Sequence, residues 1–422
     1  MPALALIDMN NFYVSCERVF RPDLEGRAVI VLSNNDGCAI ARSQEAKDLG
    51  IKMGDPWFKI RDAYRRAGGV GLSSNYALYG DMSARIGDVL AQFSPDIETY
   101  SIDESFVSLE AVPPQSRFQL AKDMATTVRR WIGISCCVGI GPTKTLAKLA
   151  NFTAKKRLLD NNGVADLMDE ERRARAMAVI PVGEIWGIGR ASATKLNALG
   201  VETAADLLRV DRRLVRNVLT VVGERIVAEL AGESCVDLDL EPPPQKGCAV
   251  TRSFGRSICE WTEMEEALAF YAARAGEKLR RQNRAASVMQ VFMHTNRFNG
   301  DPPYSNAATA RLPEATTDTR DLIAMALVLG RRIWRPGYRF AKAGVILDEL
   351  VDASAVQRSF LVDPDRRGKS APLMAVIDDI NNRMGNGTLT LAATGICRHW
   401  KMQAGMRTSR YTTRWDELAR VR

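Results

Sequence analysis

Histidine is almost missing from this sequence, with two in 422 residues, and the eight cysteines, at 16, 38, 136, 137, 235, 248, 259 and 397, form no C-x-x-C pair. Neither a zinc site nor a disulfide scaffold is indicated, and buried free thiols are expected. No uncharged apolar run reaches the roughly 18 residues of a membrane span. The N-terminus, Met1-Pro2-Ala3-Leu4-Ala5-Leu6-Ile7-Asp8, lacks a basic region and has an acid where a signal core would continue, so a soluble cytoplasmic protein is expected. Internal repeats and low-complexity tracts are absent apart from one proline-rich stretch.

At 46% hydrophobic composition the chain has enough apolar residues for two to four domains. Its net charge of +8 is uneven: residues 1–110 hold 11 Lys/Arg against 16 Asp/Glu, so the excess of positive charge lies beyond them. A basic body of this kind points to a polyanion partner, since counterion release favours binding to phosphate backbones.

Periodicity divides the chain into α+β domains. Apolar runs over residues 3–7, ending at Asp8, and 28–32, ending at Ser33-Asn34-Asn35-Asp36-Gly37, read as buried strands. Helices are expected over 10–20 and 41–49, β-rich stretches over 99–102 and 105–109 around Asp103-Glu104, a strand over 134–140, and a helix over 143–157 opened by Pro142. Residues 180–208 read as a small helical unit around Trp186-Gly187-Ile188-Gly189, and Glu241-Pro242-Pro243-Pro244-Gln245-Lys246-Gly247 as a semi-rigid linker. Beyond the linker the order is strand 250–254, helix 264–281, strands 288–294 and 307–312, helix 319–334 and strand 341–350, a βαββαβ sandwich. Residues 351–422 give no repeating pattern, and from Arg398 onward they hold seven Lys/Arg against two acids.

Asp8 and the pair Asp103-Glu104 each lie at the end of an apolar strand. Clustered carboxylates repel unless a divalent cation neutralises them, and hard oxygen donors select Mg²⁺ with substrate phosphates as further ligands. Spacing alone leaves open the alternative of a strand-end turn and an exposed bend. On the helix over 143–157, Lys144, Lys148, Asn151 and Lys155 share one stripe while Leu146 and Leu149 face elsewhere. Such a ridge is ordinarily a solvated charged face, yet cations beside a metal–carboxylate site, with Lys47 among them, also suit a triphosphate. The glycines at 187 and 189 would let backbone N–H groups approach a phosphate closely, unless the segment is a plain helix–helix turn.

Three motifs together, Asp8-Met9-Asn10-Asn11-Phe12-Tyr13, Tyr100-Ser101-Ile102-Asp103-Glu104-Ser105 and Lys144-Thr145-Leu146-Ala147-Lys148-Leu149-Ala150-Asn151, resemble the Y-family DNA polymerases. Ser33-Asn34-Asn35-Asp36-Gly37-Cys38, Met53-Gly54-Asp55-Pro56-Trp57-Phe58, Ser73-Ser74-Asn75-Tyr76 and Ser409-Arg410-Tyr411-Thr412-Thr413-Arg414 resemble the branch of that family serving the SOS response. The resemblance implies a right-hand polymerase. Its ferredoxin-like palm would span residues 1–27 and 77–165, small fingers 28–76, a helix-hairpin-helix thumb 166–240, a linker 241–247, a βαββαβ little finger 248–350 and a region for partner interactions 351–422.

It further implies two Mg²⁺ ions on Asp8, Asp103 and Glu104 with help from the Met9 carbonyl, which would activate the primer 3′-hydroxyl and neutralise the pyrophosphate leaving group. Asn11, Lys47 and Lys155 would contact the incoming deoxynucleoside triphosphate, Phe12 would lie beneath its sugar, and Tyr13 would be the steric gate against a ribose 2′-hydroxyl. Gly187, Ile188, Gly189, Lys195 and Arg252 would contact primer–template DNA. Gln357, Phe360 and Leu361 would form a sliding-clamp peptide, with a UmuD-like dimer and a RecA filament as further partners. Two departures touch the nucleotide contacts: many members have an acid at the position of Asn10 and an aromatic residue at that of Gln44. The competing readings are a non-catalytic DNA-binding accessory protein of DNA repair and a two-metal nuclease or nucleotide cyclase; the latter two need no steric-gate tyrosine.

Overall fold

The computed structural model describes residues 2–158, 163–357, 359 and 364–418, with backbone alone at 364–367. Two compact units separate: Met1–Ser33, Gly37–Pro242 and Met406–Arg422 make the first, Asn34–Asp36 and Pro243–Gly405 the second. The C-terminal stretch is therefore shared between them, and its last segment returns to the unit that holds the N-terminus.

In the first unit the described strands are β1 (Leu4–Met9), β2 (Val29–Leu32), β3 (Ala39–Arg42), β4 (Val70–Ser73), β5 (Ile97–Thr99), β6 (Glu104–Ser108), β7 (Cys136–Gly141) and β8 (Val164–Asp166). The main sheet runs β5-β6-β1-β7-β8, and a smaller one runs β3-β2-β4. β1 is a continuous apolar run because both of its faces are covered. Ala5, Ile7 and Met9 enter one core, whereas Leu4 and Leu6 enter another with Phe106 and Ala147. Asp8 has the parity of Leu4 and Leu6, so its side chain leaves the sheet on the face covered by the helix Lys144–Lys155.

That helix starts at Thr143, whose hydroxyl accepts from Leu146 N at 3.2 Å. Two glycines of β7 let it press against the sheet. A Cβ on Gly139 would lie 2.1 Å from Asn151 N, and one on Gly141 would lie 2.7 Å from Ala147 N. Asn151 fastens the contact by donating from Nδ2 to the carbonyls of Cys137 (2.8 Å) and Leu6 (3.3 Å).

The second unit holds a sheet ordered β11-β10-β12-β9, formed by β9 (Cys248–Ile258), β10 (Arg284–Thr295), β11 (Ser305–Thr316) and β12 (Phe340–Asp352). Helices Trp261–Arg281 and Thr319–Ile333 complete the βαββαβ order and bury Leu268, Tyr271, Leu322 and Leu329 against Val291, Val345 and Leu347 of the strands.

Several expected boundaries shift. Ala41 and Arg42 belong to β3, where Ala41 pairs with Val31, so the helix expected from 41 spans Gln44–Asp48 and is capped by Ser43. The strand expected over 99–102 lies at Ile97–Thr99, because Tyr100 N and Ser101 N both return to the Glu104 carbonyl at 3.1 Å and turn the chain. A 21-residue helix, Pro364–Met384, was not anticipated. Pro372 interrupts its sequence pattern, and Asp378 ties it to its own unit through paired bonds from Arg280 Nε and Nη2, both 2.7 Å. Within the expected clamp peptide Gln357 is exposed, whereas Phe360 and Leu361 lie outside the described residues. No helix among the described residues is long and apolar enough to cross a membrane.

Candidate active site

The register of the main sheet brings the acids together. Asp8 stands opposite Glu104 in the antiparallel β1–β6 ladder, so their side chains share a face, and Met9 N donates to the Asp103 carbonyl at 2.9 Å. Burial pushes the Asp8 carboxyl from its ordinary 3.8 up to about 6; Lys155 pulls it down, while Glu104 and Asp103 add to the rise. Carboxylates that raise one another's proton affinity in this way are oxygen donors of the kind a hard divalent cation takes.

Each acid is held by a group of its own. Lys155 Nζ donates to Asp8 Oδ2 at 2.5 Å, Lys148 Nζ to both Glu104 oxygens at 3.1 and 3.0 Å, and Ser101 Oγ to Asp103 Oδ1 at 2.7 Å. Ser101 Oγ also accepts from Glu104 N at 3.1 Å, which shapes the turn carrying both acids. Among the described residues no three His, Cys, Asp or Glu side chains are gathered as a ready-made metal group. Lys155 and Lys148 are thus the counter-charges of Asp8 and Glu104, and a bound cation would take their place.

Only the Lys155 end of the lysine stripe is exposed. Lys144 and Asn151 are buried, and Lys144 Nζ reaches Glu98 Oε2 at 2.5 Å. Lys148 sits 4.3 Å from the centre of the Tyr100 ring and 5.3 Å from that of Trp186, and Trp186 Nε1 donates to Tyr100 OH at 3.2 Å. The Trp186-Gly187-Ile188-Gly189 segment is thus anchored beside the acids by its tryptophan. Lys148 and Ser101 lay within the sequence motifs, but nothing local revealed which acid each would hold.

On the helix Phe12–Phe20, Asn11 is the left-handed N-cap, with φ 47°, and its Oδ1 accepts from Lys47 Nζ at 2.7 Å. Burial lowers the Lys47 pKa, and Arg42, Lys155 and Lys156 lower it further, so Lys47 belongs to a cationic patch with no carboxylate salt bridge of its own among the described residues. Phe12 is buried, with its ring 5.9 Å from that of Tyr13. Tyr13 is half-buried and stacks on Tyr79 at 4.5 Å and 14°, while Tyr76 meets it edge-on at 6.1 Å.

The candidate DNA contacts divide. Gly187, Gly189 and Lys195 are exposed, and Gly189 caps the helix Arg190–Asn197, whose first N–H groups lack intrahelical partners. Gly187 has φ 88°, a conformation that favours glycine. The Ile188 side chain is core, packed with Leu196, Val201 and Ile226, so this turn offers its backbone rather than that side chain. Arg252 lies exposed on β9 of the second unit, with Nη1 donating to the Thr251 carbonyl at 3.2 Å.

An acid-bearing sheet of this order and a separate βαββαβ unit define the architecture of Y-family DNA polymerases. A Y-family DNA polymerase chimera of Dbh and Dpo4 superimposes with a TM-score of 0.67 at 19% identity, covering 83% of this chain and 99% of that one; the insertion ternary complex of Dbh DNA polymerase gives 0.55 with the same coverage. Residues 7–151 match the impB/mucB/samB family, residues 245–360 its C-terminal domain, and residues 371–421 a domain of unknown function, DUF4113. Protein UmuC of Salmonella typhimurium (strain LT2) is 44% identical over 420 residues, covering 99% of this chain and all of that protein. DNA polymerase IV of Desulfatibacillum aliphaticivorans is 26% identical over 402 residues, covering 93% of this chain and 97% of that one. The chain belongs to the impB/mucB/samB family of Y-family polymerases.

Proposed function

We propose that this chain is an error-prone translesion DNA polymerase that adds deoxynucleotides to a primer 3′ end opposite damaged template, in the SOS response to DNA damage, by phosphoryl transfer assisted by two Mg²⁺ ions. The reading rests on the β1–β6 register, which sets Asp8 opposite Glu104 with Asp103 at the adjoining turn, beneath the lysine helix. Asp8, Asp103, Glu104 and the Met9 carbonyl would hold the ions. When bound, these ions polarise the reacting phosphate and lower the pKa of the primer hydroxyl. Lys155, released from Asp8, and Lys47 would orient the triphosphate, and Phe12 would support the sugar. The exposed backbone at Gly187 and Gly189 together with Lys195 and Arg252 would track the DNA phosphates without reading sequence.

The fingers would be the three-stranded β3-β2-β4 sheet with the short helices Gln44–Asp48 and Trp57–Arg66. So small an element encloses little of the nascent base pair, which weakens shape selection and admits damaged templates. A sliding clamp bound through Gln357, Phe360 and Leu361, a UmuD-like dimer and a RecA filament complete the proposal, with the chain acting on nucleoid DNA in the cytoplasm.

The test is primer extension by the purified chain on intact and abasic templates with Mg²⁺, repeated with the proposed partners. Failure to extend under either condition would favour the accessory reading. Tyr13→Ala should raise ribonucleotide incorporation relative to deoxynucleotide by about a hundredfold; an unchanged ratio would remove Tyr13 as the gate.

The Asp8 carboxyl supplies a pH test. Its folded pKa, about 6, lies above the ordinary 3.8, so protonation favours the metal-free fold, and that stabilisation is lost as pH rises through about 6. Mg²⁺ competes with the proton and should raise the melting temperature more at about pH 7.5 than at about pH 5.5. Equal shifts at the two values would rule out Asp8 as a metal ligand.

A further inference from the structure

Behind Tyr13 runs a buried chain of contacts that leads to the C-terminal segment of the same unit. The Tyr79 ring that stacks on Tyr13 donates from its hydroxyl to Glu17 Oε1 at 2.7 Å. Glu17 is fully buried, and its Oε2 has no hydrogen bond of its own. Burial raises the Glu17 pKa, with the Tyr79 and Thr408 hydroxyls opposing the rise. A buried carboxyl group supported in this way depends on the Tyr79 hydroxyl keeping its place.

Thr408 is held from the other side by Asn75, which is 1% exposed. Asn75 Oδ1 caps the helix Tyr76–Leu90, the element carrying Tyr76 and Tyr79, by accepting from Leu78 N at 3.5 Å. Its Nδ2 donates to Thr408 Oγ1 (3.0 Å), the Thr408 carbonyl (3.3 Å) and the Ser409 carbonyl (3.0 Å). Just before this clasp, Ser73 N donates to the Met406 carbonyl at 3.1 Å, and Met406 N donates to Ser73 Oγ at 2.9 Å. Just after it, the Tyr411 ring stacks on Phe20 at 4.9 Å and 8°, at the end of the helix that carries Tyr13. Arg410 closes the return by donating from Nε to Glu417 Oε1 at 2.9 Å.

Residues 406–411 therefore grip the start of one helix and the end of the other, and those two helices supply every ring in the Tyr13–Tyr76–Tyr79 stack. We propose that this segment is a specificity-determining strap: it fixes the two helices against each other and so sets how far the Tyr13 ring stands into the sugar's place. Thr408 and Tyr411 are positioning residues that act through Asn75 and Phe20 respectively. A shift of a few tenths of an ångström in a gate made of one phenol edge changes what fits beside a 2′-carbon, whereas the acids are held by their own strand register and turn, so catalysis is less affected. The inference rests on the gate role proposed for Tyr13.

The experiment compares incorporation of a deoxynucleotide with that of the matching ribonucleotide by the full chain and by Thr408→Val, Thr408→Ser, Tyr411→Ala and Tyr13→Ala, with melting temperatures alongside. Thr408→Val and Tyr411→Ala should each lower the deoxy-to-ribo preference by about fivefold, through a lower ribonucleotide KM, while deoxynucleotide incorporation stays within about twofold. Thr408→Ser should restore the preference. If Tyr13→Ala relaxes sugar selection while Thr408→Val and Tyr411→Ala leave it at the parental ratio, the strap is overturned and the gate survives. Equal losses with both sugars would also overturn it, since they mark a purely structural role. If Tyr13→Ala changes nothing, gate and strap fall together.

Discussion

Asp103→Ala should abolish nucleotide incorporation while leaving the fold intact. Asp103 is tied into the sheet by its backbone, through the 2.9 Å bond from Met9 N to its carbonyl, and its carboxylate accepts an exchangeable bond from Ser101 Oγ. Removing the carboxylate therefore costs little packing but takes one of three anionic donors from a site that needs them to hold two divalent ions. A loss of about 10³-fold or more in single-turnover rate is expected, which corresponds to about 4 kcal/mol of transition-state stabilisation. The check is primer extension at saturating Mg²⁺ beside a melting curve. Appreciable extension by the folded variant would refute the three-acid site. Primer degradation without added nucleotides, lost in the same variant, would point to a nuclease.

Gly139→Val should have the largest effect on stability. Any Cβ at this position would meet Asn151 N at 2.1 Å and the Ala147 carbonyl oxygen at 2.3 Å, both of them backbone atoms of the helix Lys144–Lys155. Backbone cannot swing aside as a flexible side chain can, so the helix must lift from β7 by more than an ångström. It would lose the Asn151 bonds to Leu6 and Cys137 and carry Lys148 and Lys155 away from Glu104 and Asp8. Overpacking of this severity is expected to cost about 3 kcal/mol or more, with activity falling in the fraction that still folds. Gly80→Ala is the contrasting control: Gly80 lies exposed inside the helix Tyr76–Leu90 with nothing within 4 Å of a new Cβ. There a gain of about 0.5–1 kcal/mol is expected from helix propensity. Equal melting temperatures for Gly139→Val and the parent chain would contradict the close helix–sheet contact.

Much of the site could be read from local patterns, and the limits were equally local. The apolar run that ends at Asp8, the turn residues around Asp103-Glu104 and the 3.6-residue stripe of lysines each reside within about a dozen residues, where local pattern is written directly in the sequence. The stripe was legible, but its solvation was not: Lys144 and Lys148 look like surface residues until Glu98 and Glu104 are brought beside them by sheet pairing. The flanking glycines marked the turn at Ile188, but that its side chain enters the helical core was set by packing. The helix Pro364–Met384 was missed because Pro372 and a weak apolar stripe conceal its period.

The sequence alone determined the strand and helix types, the βαββαβ order, the candidate acids and, through its motifs, the polymerase family, because these depend on residue type and short-range spacing. Only the tertiary structure decided which lysine neutralises which acid, how closely the lysine helix approaches β7, and that Thr408 and Tyr411 clasp the helices bearing Tyr13 and Tyr79. Lys148 and Lys155 lie 44 and 147 positions from the acids they hold, and Thr408 lies 333 from Asn75. Such contacts depend on register and on the fit of buried groups, and neither leaves a periodic trace in the chain.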